Sequence, residues 1–186
     1  MGKALSLVVF LLAVSSAIDL YASDVAGVVL PDATQVGGKM LVLNGLGLRT
    51  KFVLNIYVVG LYLERKSSDP DAILQADVPK RIVMHYLHGV SKSQIADAFV
   101  ESYNEYASAT KESLKDDLDR LLGVLESVEK GDEMVLSYVP GTGTTLAING
   151  REKLTIAGPE FAKMLLSVWL GPKPSNEDLK RRLLGQ

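Results

Sequence analysis

The sequence predicts an α+β domain in which amphipathic helices lie over a sheet, and three observations predict it. Residues 52–63 form a long run dominated by β-branched and aromatic side chains, broken only by Asn55 and Gly60, the composition of a strand rather than a helix. Residues 133–157 fall into short strand-like runs separated by Pro140-Gly141-Thr142-Gly143 and Asn149-Gly150, and Asn-Gly between alternating residues is a strong hairpin signal. Around residues 95–103, 114–125 and 161–169, apolar side chains recur instead at helical spacing, each segment burying one stripe.

The first element is a leader. Met1-Gly2-Lys3 gives a positive start, and Ala4 to Ile18 carries no charge before Asp19. This order reads as a signal peptide over 1–22, too short for a stable membrane span. Ser15 and Ala17 best meet the small-residue rule for cleavage, and Ala22 is an alternative with a more polar mature start. The chain is therefore expected to be secreted or periplasmic, with one domain over 23–186.

Within that domain, the apolar stretch Ala26 to Leu30 opens with a strand, and Pro31 to Lys39, with Gly37-Gly38, reads as a polar loop. Met40 to Leu43 is a strand, Asn44-Gly45-Leu46-Gly47 a break, and Phe52 to Leu63 a strand covered on both faces. Gly60 inside it predicts a bulge or bend. Glu64 to Lys80, with Asp69-Pro70 and Pro79, is a surface connection containing a turn of helix at Asp71 to Gln75. Arg81 to Leu87 is the next strand. Ser91 and Gln94 form a capping box opening a helix with Ile95, Phe99, Val100 and Tyr103 on one face. A second helix carries Leu114, Leu118, Leu121, Leu122 and Leu125, and the pair is expected side by side over the sheet. Strands at Glu133 to Val139, Thr144 to Asn149 and Glu152 to Ala157 follow. A helix begins at Pro159 and stops at Gly171-Pro172. In the last helix, from Ser175, the acids Glu177 and Asp178 precede the bases Lys180, Arg181 and Arg182, as the macrodipole favours.

Composition narrows the function. Of 186 residues, 47% are apolar, enough for one proper core. Twenty basic residues face twenty-two acidic ones, and no basic stripe is interleaved with aromatics, so no nucleic-acid partner is expected. With no cysteine, disulfides, thiolate metal sites and a cysteine nucleophile are excluded. His85 and His88 lack a nearby acid, and on a strand they point to opposite faces, so no metal is expected. Pro140 to Thr145 lacks the lysine and following helix of a phosphate loop and reads as a β-turn. No serine sits in a Gly-x-Ser-x-Gly elbow. Asp116, Asp117 and Asp119 read as a solvated helix face, and Trp169, Phe99 and Tyr103 as core.

Residues 44–64 stand apart. Arg49 precedes the most apolar strand, and Tyr57 places a hydroxyl within it. A guanidinium at the mouth of an apolar layer can grip a carboxylate in bidentate fashion, with the tyrosine adding a hydrogen bond and an apolar body lying between the layers. The bland reading, an exposed turn arginine and a core tyrosine, is favoured by spacing alone.

Gly45-Leu-Gly-Leu-Arg-Thr-Lys-Phe52, Ile56-Tyr-Val-Val-Gly-Leu-Tyr-Leu-Glu64, Lys80-Arg-Ile-Val-Met-His85, Gly131 to Thr145 and Phe161 to Gly171 together resemble the chalcone isomerase-like family, in order and from about residue 38 to the end. The resemblance implies an open-faced β-sandwich, a large antiparallel sheet with a layer of helices, enclosing a ligand cleft and needing no cofactor. The family includes enzymes that close a chalcone onto its enone and relatives without that activity that bind fatty acids. Arg49 matches the arginine that holds an anionic oxygen in the enzymes and a carboxylate in the binders. Tyr57 falls where the enzymes carry threonine and the fatty-acid binders carry a tyrosine paired with the arginine. Ser91 and Ala98 stand at or near the places of a catalytic tyrosine and asparagine, which leaves the enzymes' hydrogen-bond network incomplete. The resemblance thus implies a non-catalytic protein binding a small amphipathic anion such as a fatty acid through Arg49 and Tyr57, with no catalytic residues to name. Two alternatives stay open: an isomerase (intramolecular lyase) using a different acid, and a structural or partner-binding module with a vestigial cleft.

Overall fold

The computed structural model describes residues 22–106 and 112–186, so the leader expected over 1–22, apart from Ala22, lies outside the described residues. Strands β1 (Ala22–Val25) and β2 (Val28–Pro31) make a hairpin closed by Ala26-Gly27. Seven further strands, β3 (Ala33–Val36), β4 (Lys39–Lys51), β5 (Leu54–Leu63), β6 (Lys80–Tyr86), β7 (Glu133–Val139), β8 (Gly143–Ile148) and β9 (Arg151–Ile156), form one antiparallel sheet in chain order. The expected strands at 81–87 and 133–157 and the α+β class are all present.

Helices α1 (Pro70–Gln75), α2 (Lys92–Glu105), α3 (Lys115–Val124), α4 (Pro159–Leu170) and α5 (Glu177–Leu183) accompany the sheet. The larger core joins one face of β5 to β8 to the helices through Val59, Leu61, Ile82, Met84, Met134, Phe161, Leu165 and Trp169. A smaller core on the opposite face joins Leu41, Leu43, Val58, Tyr62 and Val83 to Val28 and Leu30 of the N-terminal hairpin. Strand β5 is therefore covered on both sides from Val58 to Leu63, as its apolar run requires. Helix α2 opens with both bonds of the Ser91/Gln94 capping box, and packs against α4 as well as its expected neighbour α3.

Four local expectations are corrected. Residues 31–39 are no loop: Ala33–Val36 pairs with Lys39–Val42 across the turn Gly37-Gly38. The Asn44 to Gly47 segment does not break the strand, since β4 runs through it with a bulge between Leu43 and Gly45. Its glycines serve helix docking, for a Cβ on Gly45 would fall 2.2 Å from the Arg182 carbonyl oxygen and one on Gly47 would fall 2.5 Å from Leu179 Cδ1, both on α5. The turn comes at Phe52-Val53, placed in advance within the strand. Gly60 lies in regular pairing with Leu46 and Val83, and its missing side chain makes room for Leu30 Cδ1, which would stand 2.7 Å from a Cβ.

The bulge at Asn44 positions the site. Leu41 and Leu43 face the smaller core, and so do Leu46 and Leu48, because one extra residue shifts the alternation of inward and outward side chains. Gly45, Gly47 and Arg49 consequently share the helix-covered face. Asn44 itself is buried: its amide donates to the carbonyls of Ser67 (3.0 Å) and Leu183 (2.7 Å), and its oxygen accepts from the Ser67 N–H (2.7 Å).

Candidate functional site

Arg49 on β4 is directly opposite Tyr57 on β5, and Tyr57 is directly opposite Tyr86 on β6. Residues paired across an antiparallel sheet put their side chains on one face, so a guanidinium and two phenol rings line up under the helices. The Tyr57 and Tyr86 rings meet edge to face, 5.5 Å between centroids at 69°. The two expected site residues are brought together, and neither is a turn residue.

Helix α4 supplies a third member. The Trp169 indole N–H donates to the Tyr57 hydroxyl oxygen at 3.1 Å. Trp169 is buried, so its N–H needs a partner. Reading Trp169 as core alone missed this role; the signal available in advance was an indole donor on a stripe otherwise without polar groups.

Burial raises the Tyr57 phenol above its ordinary pKa, with the Trp169 N–H and Arg49 pulling the other way. At neutral pH the group is a neutral phenol, a hydrogen-bond donor rather than a base. Because the indole occupies one lone pair, the phenolic proton remains for an acceptor in the cleft. The Arg49 side chain donates to the Thr50 carbonyl at 2.5 Å and interacts with Tyr57. Among the described residues no carboxylate forms an ion pair with it.

These groups border a cleft of about 640 Å³ between the sheet and the helices. Its walls are mostly apolar: Ile56, Tyr86, Met84, Met134, Phe99, Ile95, Val168 and Trp169. Polar residues stand at the Arg49 end and on α2, where Gln94, Asp97 and Glu101 take part. Ala98 adds a methyl group to the lining, and the Ser91 hydroxyl is engaged at the start of α2 with Gln94 and Ser93. His88 borders the cleft while His85, on β6, pairs with Val58 on the opposite face. Among the described residues no group of three His, Cys, Asp or Glu side chains is placed to hold a metal ion.

The model of a family described as chalcone isomerase-like matches residues 22–185. The chain matches none of the curated proteins. Among solved structures it is similar to a fatty-acid binding protein of Arabidopsis thaliana, with a TM-score of 0.69 over 88% of this chain and 96% of that one. Sequence identity between the two is 14%, so the likeness is one of fold.

Proposed function

The chain belongs to the chalcone isomerase-like family, and on that premise we propose that it is a non-catalytic carrier of a small amphipathic anion, a fatty acid, held by its carboxylate at Arg49 and Tyr57. The observation that carries this reading is the Arg49, Tyr57 and Trp169 cluster at one end of an apolar cleft. A cation with no carboxylate partner among the described residues and a neutral phenol with its proton to give make a site for an anion. The cleft's volume lies within the roughly 300–1,000 Å³ of small-ligand sites. Met84 and Met134 give its floor side chains that adapt to a flexible chain.

Closing a chalcone ring requires donors aimed at the oxygen where charge develops. Ala98 brings no such donor, and the Ser91 hydroxyl serves the helix start. We further propose that residues 1–22 are a leader and that this carrier is secreted or periplasmic. Native mass spectrometry of the purified mature chain tests the proposal. It should show a co-purified mass of fatty-acid size, lost on delipidation and restored by added fatty acid. A chain that stays ligand-free in the presence of fatty acid overturns it.

A further inference from the structure

Among the described residues four hairpins close with two-residue turns, and three use glycine at the second position: Ala26-Gly27, Gly37-Gly38 and Asn149-Gly150. The fourth, between β4 and β5, is Phe52-Val53. Both side chains are 94% exposed, and Phe52 holds a φ of +55°, a region that bulky residues avoid. An apolar pair stands where a small or polar residue would fit the backbone better and suit water better. Leu54 beside it is 46% exposed, so the tip gathers three of the five large exposed apolar side chains among the described residues.

The tip stands at the mouth of the cleft, which Phe52, Leu54, Lys51 and Arg49 all border. It is a convex point of two or three side chains, far short of the roughly 800 Å² that a stable protein partner covers on each side. Such a point suits insertion into a fluid apolar phase, with the exposed Lys51 just behind it at the level of lipid phosphates. Asp97 and Glu101 across the cleft on α2 limit attraction to anionic surfaces, leaving apolar insertion as the main contribution. We infer that Phe52-Val53 is a docking finger for a lipid bilayer, seating the cleft mouth against the surface from which an amphipathic ligand is taken or to which it is given. The inference rests on the carrier reading above for its purpose, but the docking can be tested without it.

The test is co-sedimentation of the mature chain with vesicles of phosphatidylcholine containing a minority of phosphatidylglycerol, alongside fatty-acid titration in the absence of vesicles. Val53 lies outside the cleft lining, so Val53→Glu should lower vesicle partitioning at least roughly tenfold and leave fatty-acid affinity in solution unchanged. Phe52→Gly should lower partitioning by a similar factor while raising Tm, since glycine relieves the positive φ; a purely structural role for Phe52 would not move the two in opposite directions. Equal partitioning of wild type and Val53→Glu overturns the inference, and so does a concentration-dependent dimer that Val53→Glu abolishes without any vesicle binding. Fatty-acid binding without vesicle binding defeats the docking finger alone. Vesicle binding that Val53→Glu removes, in a chain that takes up no fatty acid, defeats the carrier reading alone.

Discussion

Replacing Tyr57 by phenylalanine removes an oxygen that accepts from the Trp169 indole and, in the proposed function, donates to the ligand carboxylate. On the protein side, the Trp169 N–H loses its acceptor in a position where the ring is only 2% exposed. Stranding a buried donor costs about 1–3 kcal/mol, and for a domain of this size about 2 kcal/mol lowers Tm by roughly 4–8 °C. On the ligand side, the carboxylate loses a donor, and a hydrogen bond to a charged group is worth about 1.5–3 kcal/mol, or roughly 10- to 150-fold in affinity. A double-mutant cycle with Trp169→Phe separates the effects. The double variant should be destabilised by about 1–3 kcal/mol less than the sum of the singles, because no indole N–H is left stranded, while fatty-acid affinity stays as weak as in Tyr57→Phe. Urea denaturation reads the stability and isothermal titration reads the affinity. Additive stabilities together with unchanged affinity would refute the reasoning, for the hydroxyl would then serve neither partner.

Two further outcomes concern the frame that holds the site. Asn44→Ala removes the three bonds tying the β4 bulge to Ser67 and to the end of α5, and urea denaturation should show a loss of about 2–4 kcal/mol; a loss under about 0.5 kcal/mol, as at ordinary surface sites, would show that the bulge holds itself. Lys80 is buried against the Tyr138 ring, 5.4 Å from its centroid, and burial lowers its pKa from 10.5 to about 8. The unfolded chain then binds that proton more tightly, so the cost of charging Lys80 is fully present below pH 8 and fades as pH rises toward 10.5. Tyr62, pushed up to about 12 by burial, acts oppositely above pH 10. Tm should therefore rise between pH 8 and 10 in the wild type and stay flat in Lys80→Met; identical profiles would sink the assignment.

Sequence made some of this legible because the chemistry was local. Asn149-Gly150 announces its own turn, and Ser91 and Gln94 cap a helix with atoms three residues apart. Where distant packing decides, local signals mislead. Gly45 and Gly47 have the composition of a turn, yet their role is to let α5 approach the strand, a fact written in residues 179–183. The true turn at Phe52-Val53 carries no turn residue, so apolar composition merged it with the strand. Arg49 and Tyr57 could be singled out by type, and the family resemblance joined them. Their direct pairing depends on the extra residue at Asn44, and the indole that engages Tyr57 comes from 112 residues further along the chain.

The central claim is that a carboxylate is held at Arg49 while its chain lies in the cleft. Isothermal titration of the delipidated domain, residues 23–186, with fatty acids of increasing length addresses it directly. The account predicts one ligand per chain, affinity that climbs about fourfold per added methylene until the cleft is full, and a strong loss of that affinity in Arg49→Ala. Equal, weak heats for wild type and Arg49→Ala across the whole series would contradict it.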